Sequence, residues 1–550
     1  MQANDPLRRL GFGVFEVDLR DGQLTRRGLR LRLQEQPFQV LAMLLEKPGE
    51  VVTRDELRSR LWPNTVVEFD HGLNKAISKI REVLGDSVES PRFVETVARR
   101  GYRFLADVAV IDIPDRQSEP TPDALASSVN EFVELADWFG WRAPHEPVVV
   151  DSLPTPTFTV KDRPRVSFST NNYLGIATSP RTKAAATRGI KAYGVGNSDS
   201  RLLGGNLALY GELERKIARS NGKSHAILFA TGYLTNLGAL STLPRATQIA
   251  RVFGFTASRE YSYAYFSDEY NHISIREGMR LSGARRYSYH HLDLDHLETL
   301  LRRSTATSKI IVTDGVFSQD GDIAPIPDLL RLAERWDALV YVDDAHGTGV
   351  LGASGGGVVE HFKAASERLI YMGTLSKAYG SIGGYIAAHG LITEVLRMAC
   401  PAYGFTATLP PDQAMVISTA IDVVRDEPER RQRLWDNQRY FVKRMAELNY
   451  KLVATETPIV PIWLGDEAKA EQLALAVREE GIHVDAIRFP AVPVKSARLR
   501  IQLNAGHRRA DIDHLVDVLR RHQHFAEPAR RFVAASRDRR ATVPQASPFP

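Results

Sequence analysis

Residues 368–385 read RLIYMGTLSKAYGSIGGY. An apolar run of strand length ends at Thr374, and Ser376 and Lys377 follow at once, before a cluster of glycines. That order predicts a buried strand whose carboxyl end delivers a lysine. Three further runs have the same form, HAILFA (225–230), KIIVTDG (309–315) and ALVYVDDAH (338–346), with helical patterns between them. Such alternation predicts the α/β class, with a mainly parallel sheet covered on both faces. In sheets of this kind chemistry gathers at the carboxyl ends of the strands. Those ends carry Thr231, Gly232 and Tyr233, then Asp343, Asp344 and His346, then Thr374, Ser376 and Lys377.

This residue set suits pyridoxal phosphate. An unpaired ammonium at the end of apolar strands is costly, and a Schiff base at Lys377 removes that conflict. An aspartate on a neighbouring strand end keeps the pyridine nitrogen protonated, so that the ring accepts electrons. Thr231-Gly232-Tyr233, after a strand and opening a helix, offers backbone N–H groups to a phosphate.

The rest of the chain sets the frame. Its 550 residues, 43% hydrophobic and 25% charged, have the balance of ordinary globular domains and exclude a disordered chain, a fibre or a coiled-coil rod. Lys and Arg number 71 against 66 Asp and Glu, and a net charge of +5 at this length makes no case for nucleic acid without local placement. The single cysteine, Cys400, excludes an internal disulfide framework. No apolar run reaches membrane-spanning length and the first residues lack a signal-peptide pattern, so a cytoplasmic protein with no membrane span and no metal site is expected. Residues 109–128 read as a Pro-, Ser- and acid-rich linker and 526–550 as a disordered basic tail. The expected domains are therefore 1–108 and 129–525, the latter with a large lobe over about 165–400 and a smaller α+β lobe over about 401–525.

In the first domain, residues 12–33 alternate in two strand-like runs around Asp21-Gly22, and a helix over 35–46 ends at Pro48-Gly49. Thr53 with Glu56 has capping-box spacing for a second helix. A third helix over 70–84 sets Leu73, Ile77, Ile80 and Leu84 on one face, with Asn74, Lys75, Ser78, Lys79 and Arg81 opposite. RFVETVARRGYRFL then reads as a hairpin turning at Arg99, Arg100 and Gly101. Helix, helix, polar helix, basic hairpin is the order of a winged helix-turn-helix. With FQVLAMLLEKPGEVVTRDELRSRLW, HGLNKAISKIREVLGD and the V-x-x-R-x-G-Y-x-F close, residues 10–105 resemble the OmpR/PhoB-type effector domains of bacterial response regulators. The resemblance implies that the 70–84 helix reads the major groove of double-stranded DNA and that Arg99 and Arg100 meet backbone or minor groove. The plain alternative is a solvated face, since residues 1–110 hold 18 basic against 16 acidic residues. Family members usually follow a receiver domain with a phosphorylatable aspartate, which the residues before position 10 do not supply here, so the controlling signal is expected from the rest of this chain.

In the second, the segments NNYLGI (171–176), GNSDSRLLGGNLALYGELERKIA (196–218), ATGYLTN (230–236), SDEYNHISIREG (267–278), TDGVFSQDGDIAPI (313–326), VDDAHGTGVLG (342–352), TLSKAYGSIGGY (374–385) and FTATLPP (405–411) resemble the α-oxoamine synthases. These are fold-type I pyridoxal-phosphate enzymes built on a seven-stranded sheet in three α/β/α layers, and the match spans about 165–520. The resemblance implies Lys377 as the Schiff-base lysine, Asp343 as the pyridinium partner, His346 as donor to the ring hydroxyl and His272 stacked on the ring. It puts Thr374 on the phosphate, Thr231, Gly232 and Tyr233 around it, Asn171 and Ser318 in the pocket, and Arg500 on the substrate carboxylate. Thr406 is implied to reach the phosphate of a partner subunit, in a homodimer. Taken singly, His272 reads equally as an interior histidine, His346 as a loop cap and Arg500 as an exposed strand residue; His225, His290 and His291 read as structural or surface.

The implied reaction joins an amino acid to an acyl thioester, on coenzyme A or a carrier protein, with loss of CO₂. Two alternatives stay open: a pyridoxal-phosphate-dependent, ligand-sensing transcriptional regulator without turnover, and a synthase whose winged domain only mediates assembly. Two departures stand out. Asp314 occupies a position where the family commonly has Glu, and residues 245–266 are longer than usual, with Tyr261, Tyr263 and Tyr265 alternating as in an extra hairpin or a plain surface insertion.

Overall fold

A computed structural model describes residues 9–19, 22–26, 29–31, 33–62, 69–88, 91–98, 100–111, 132, 148–252 and 254–526. The chain divides into two units, Met1–Val148 and Val149–Pro550, so the division falls later than the expected 128/129. Asp21, Arg99, most of the expected linker and the tail beyond 526 lie outside the described residues.

In the first unit each alternating run folds back on itself. The strands β1 (Arg9–Phe12), β2 (Phe15–Asp18), β3 (Gln23–Arg26) and β4 (Leu29–Leu31) form an antiparallel sheet in the order β4-β3-β2-β1-β8. The last of these, β8 (Ala109–Ile111), lies in the stretch expected to begin the linker; it pairs with β1, so the domain runs past 108. Helices α1 (Glu35–Glu46), α2 (Arg54–Leu61) and α3 (Phe69–Leu84) follow the predicted bounds closely. The capping box forms: Glu56 N–H donates to Thr53 Oγ1 at 3.2 Å and Thr53 N–H to Glu56 Oε2 at 2.7 Å. Leu73, Ile77, Ile80 and Leu84 are buried as the helical period requires. The wing is β6 (Val94–Val97) with β7 (Gly101–Phe104), joined by β5 (Val51–Thr53). A Cβ on Gly101 would lie 2.0 Å from Val52 O, so only glycine allows β7 this close to β5.

In the second unit, β9 (Thr157–Val160) and β10 (Arg163–Ser167) precede a seven-stranded sheet. Its strands are β11 (His225–Phe229), β12 (Tyr263–Asp268), β13 (Arg285–Tyr289), β14 (Ser308–Asp314), β15 (Ala338–Asp343), β16 (Leu369–Thr374) and β17 (Gly384–Ala388). The order is β11-β17-β16-β15-β14-β12-β13, with β17 antiparallel to both its neighbours and the other pairs parallel. Successive residues feed opposite cores: Leu228, Val340, Val342 and Tyr371 pack on one face, Ile227, Phe229, Tyr341, Ile370 and Met372 on the other. The period-2 alternation therefore buries both faces under helices, giving three layers.

The smaller lobe carries β18 (Lys451–Leu452), β19 (Ile459–Gly465), β20 (Ile482–His483), β21 (Asp485–Ile487) and β22 (Ala497–Gln502). β10 pairs with β20, so this lobe is built from both ends of the unit and not only from the expected 401–525. The long 245–266 link contains the helix Ala246–Val252 and then runs into β12, with no hairpin among its described residues. Tyr265 is a core residue of β12 whose hydroxyl donates to Leu240 O.

Candidate active site

The carboxyl ends of β14, β15 and β16 and the first turn of the helix Gly232–Thr242 close around a pocket of about 300 Å³. Of the residues expected at a site, Lys377, Asp343, His346, His272, Thr231, Gly232, Tyr233, Ser318 and Thr374 all line it. Asp314, Asn236, Ser274 and Ser376 line it as well.

A relay of hydrogen bonds orders the acidic wall. Asn236 Nδ2 donates to Asp343 Oδ2 at 2.6 Å and to Ser274 Oγ at 2.8 Å, while Tyr341 donates to Asn236 Oδ1 at 2.7 Å. Ala345 N–H holds Asp343 Oδ1 at 3.1 Å. The carboxylate is buried and meets a donor on each oxygen. Ser274 in turn contacts His272 Nδ1 through its Oγ, at 2.7 Å, and its N–H, at 3.3 Å. Nδ1 is thus an acceptor, and the imidazole proton sits on Nε2. Burial lowers the His272 pKa, against the opposing pull of Asp343, so the ring is neutral at pH 7.

His346 is set in the same way. Gln502 Nε2 donates to the Tyr173 hydroxyl at 3.0 Å, leaving that hydroxyl's proton for His346 Nδ1 at 2.8 Å. Burial and the nearby Lys377 hold this imidazole well below the usual histidine range. His346 is therefore neutral with a proton on Nε2, a fixed donor.

Lys377 follows the end of β16, and burial pushes its ammonium down to about 8, with Asp343 opposing. Asp314, the register partner of Asp343, is pushed well above the usual carboxylate range by burial and by the Asp343 charge. Its one polar contact from the pocket wall is the His272 N–H at 3.5 Å.

The remaining wall is a cluster of hydroxyl and amide donors. Thr231 caps the helix Gly232–Thr242, its Oγ1 accepting from Leu234 N–H at 3.0 Å. The N–H groups of Gly232 and Tyr233 open that helix and have no intrahelical acceptor. A Cβ on Gly232 would lie 2.8 Å from Thr374 Oγ1, so glycine lets the helix start meet the β16 end. Thr374 Oγ1 and Ser376 Oγ, 2.9 Å apart, complete a set of hydroxyl and amide donors suited to a dianion. These groups fit pyridoxal phosphate: a lysine whose ammonium is weakened by burial, a carboxylate with a donor on each oxygen, a fixed imidazole donor and a cluster of amide and hydroxyl donors. Together the fold and site define a pyridoxal-phosphate-dependent enzyme of fold type I.

Three expected residues stand apart from the pocket lining. Arg500 is buried, donating to Ser318 O and, at 2.8 Å, to Gln502 Oε1. Asn171 accepts from Gln502 Nε2 at 2.7 Å. Both reach the site through residues that line or order it. Thr406 is part-buried and bonds only locally, to Ala407 O. The sequence reading missed Asn236, Ser274, Tyr173 and Gln502; Asn236 closes the quoted ATGYLTN segment, and one helical turn from Gly232 it had to face the sheet.

In the first unit, Asn74, Lys75 and Ser78 are exposed on α3, and Arg100 is exposed on the hairpin. Lys79 is ion-paired with Glu82 at 2.9 Å. Arg81 departs from the expected groove-facing set: it is buried, and it donates to Val94 O at 2.8 Å and to Thr96 Oγ1 at 2.8 Å. Its long side chain curls back from the polar face to tie α3 to the wing.

Residues 163–519 match the family described as Aminotransferase class I and II, and residues 28–104 the one described as Transcriptional regulatory protein, C terminal. The chain belongs to the aminotransferase class I and II family, as a pyridoxal-phosphate-dependent α-oxoamine synthase carrying a regulator-type winged-helix domain. The 8-amino-7-oxononanoate synthase of Bacillus pumilus is 37% identical over 371 residues, 67% of this chain and 91% of that protein. That of Ralstonia pickettii is 41% identical over 377 residues, 66% of this chain and 88% of its own. The solved serine palmitoyltransferase of Sphingomonas wittichii has a TM-score of 0.66 at 28% identity, covering 73% of this chain and 100% of that one. No helix among the described residues is long and apolar enough to cross a membrane.

Proposed function

We propose that this enzyme condenses an amino acid with an acyl thioester, on coenzyme A or a carrier protein, to an α-aminoketone with release of CO₂, and that its amino-terminal unit binds double-stranded DNA. The observation that carries the first part is the Asn236–Asp343 contact of 2.6 Å in the same pocket as the buried Lys377. Bound pyridoxal phosphate supplies an electron sink conjugated to the substrate's Cα.

The protein's own groups do the rest. Lys377, half-neutral near pH 8, takes the Cα proton as general base and later returns one. Asp343 would hold a proton on the ring nitrogen of the bound cofactor, and His346 would donate its Nε2 proton to the ring hydroxyl. The neutral His272 would form one wall of the cofactor site. Arg500, swung from Ser318 O, binds the substrate carboxylate through its fork. A Cα–C bond then forms to the thioester carbonyl as the C–S bond breaks, the thiol leaves with a proton, and the carboxylate departs as CO₂. The reading takes the assembly to be a homodimer.

The test is CO₂ release by the reconstituted protein across a grid of amino acids and acyl thioesters, with Lys377→Ala as control. Release that needs both substrates and Lys377 supports the synthase. Cofactor binding without release under any pair favours a ligand-sensing regulator.

A further inference from the structure

On α3 the exposed Asn74 is held from behind. Arg54 Nη2 donates to Asn74 Oδ1 at 3.2 Å, and the Tyr102 hydroxyl donates to the same oxygen at 2.9 Å. Arg54 Nη2 also donates to that hydroxyl at 3.2 Å, which leaves the tyrosine proton for Asn74. Arg54 is itself fixed, by Asp70 Oδ1 at 2.6 Å and by the Tyr102 ring 5.6 Å beneath its guanidinium. Tyr102 is buried in the wing strand β7.

This arrangement admits one amide orientation. A guanidinium has donors only, so turning the amide over would set N–H against N–H. With the carbonyl taken by two donors, the Nδ2 group of this exposed side chain is left without a hydrogen-bond acceptor among the described residues.

We propose that Asn74 meets duplex DNA solely as a hydrogen-bond donor, to guanine O6 or N7, thymine O4 or a phosphate oxygen, and not in the paired contact to adenine. That paired contact requires the asparagine carbonyl to accept from adenine N6, and here the carbonyl is engaged. The inference rests on the DNA-binding reading of the amino-terminal unit. It assigns Arg54 and Tyr102 a positioning role, since they act only through Asn74.

The experiment selects duplexes from a library with a randomised core, using the full chain, and then measures the selected duplex against variants. Asn74→Asp replaces the amide donor with an acceptor of the same shape and weakens binding at least about tenfold, with Asn74→Ala weaker by about threefold to tenfold. Binding is measured well below each variant's own unfolding temperature, because Asn74→Ala takes the acceptor from the buried Tyr102 hydroxyl and lowers the Tm of the winged domain. If the acceptor is a base, Asn74→Ala flattens a guanine or thymine preference at one position. If it is a phosphate, the motif is kept, every duplex weakens alike, and one methylphosphonate in the selected duplex reproduces the loss. Either result supports the inference. The double variant Arg54→Met, Tyr102→Phe frees the carbonyl, and adenine is then tolerated at the same position in the base case. Unchanged binding and motif in Asn74→Asp overturn the inference, as does a wild-type adenine preference that Asn74→Ala abolishes. No retention of any duplex by the wild-type chain overturns the DNA-binding reading itself, and this inference falls with it.

Discussion

Asp314 and Asp343 are direct register partners at the ends of β14 and β15, yet only Asp343 is met by a side-chain donor, Asn236 Nδ2 at 2.6 Å. Two carboxyls this close in a buried wall oppose each other's charge, and burial together with the Asp343 charge pushes Asp314 well above the usual carboxylate range. The variants should separate too. Asp343→Asn removes the charge and is expected to lower kcat by about 10²-fold or more. Asp314→Asn replaces a carboxyl whose ionisation the site opposes with a neutral group of the same shape and should cost less than about tenfold. Steady-state CO₂ release decides, and the reverse ranking would show that the charge resides on Asp314.

Lys377 attacks the cofactor aldehyde only as the neutral amine. With its ammonium pushed down to about 8, the rate at which apoprotein takes up pyridoxal phosphate should rise as pH approaches 8 and level off above it. An exposed lysine would still be accelerating toward pH 10. Stopped-flow absorbance across that range separates the two behaviours.

His291 bridges Asp268, at 3.0 Å from Nδ1, and Asp322, at 2.8 Å from Nε2. Burial opposes its charge, but the two carboxylates override that and push it up to about 10. A folded pKa above the unfolded 6.5 means that the stabilisation is complete below pH 6.5 and is lost as pH rises toward 10. The difference in Tm between the wild-type chain and His291→Gln should therefore be greatest near pH 6 and should shrink steadily up to pH 10. A gap that widens with pH would mean that the bridge carries no imidazolium.

Arg81 and Lys75 stand six positions apart on α3 but do different work. Arg81→Ala strands the buried Val94 O and should destabilise the winged domain by about 1–3 kcal/mol. Lys75→Ala should leave stability within about 0.5 kcal/mol and lower the salt dependence of DNA binding by about one counterion. Chemical denaturation and salt titration of binding give the two readouts.

Much of the architecture was legible because its causes are local. Apolar runs of strand length, the Thr53–Glu56 cap and the α3 period each depend on residues a few positions apart, and each appears where expected. The pocket set was legible for a related reason: in a parallel sheet every strand end meets the same edge, so residues that close separate runs must converge. The antiparallel β17, the pairing of β10 with β20 and the reach of β8 back to β1 had no such trace, since each joins segments far apart in the chain.

The chain's linear order was enough to single out a lysine, an aspartate and a glycine-opened helix as one chemical set, because side-chain type and strand periodicity carry that information directly. The protonation and aim of those groups were not in it. Asn236 holding Asp343, Tyr173 setting the His346 tautomer, Asp314 pushed above the usual carboxylate range and Arg81 drawn into the wing all arise from partners supplied by other elements. Hydrogen bonds and desolvation act over a few ångströms of space, and only folding brings those partners within range.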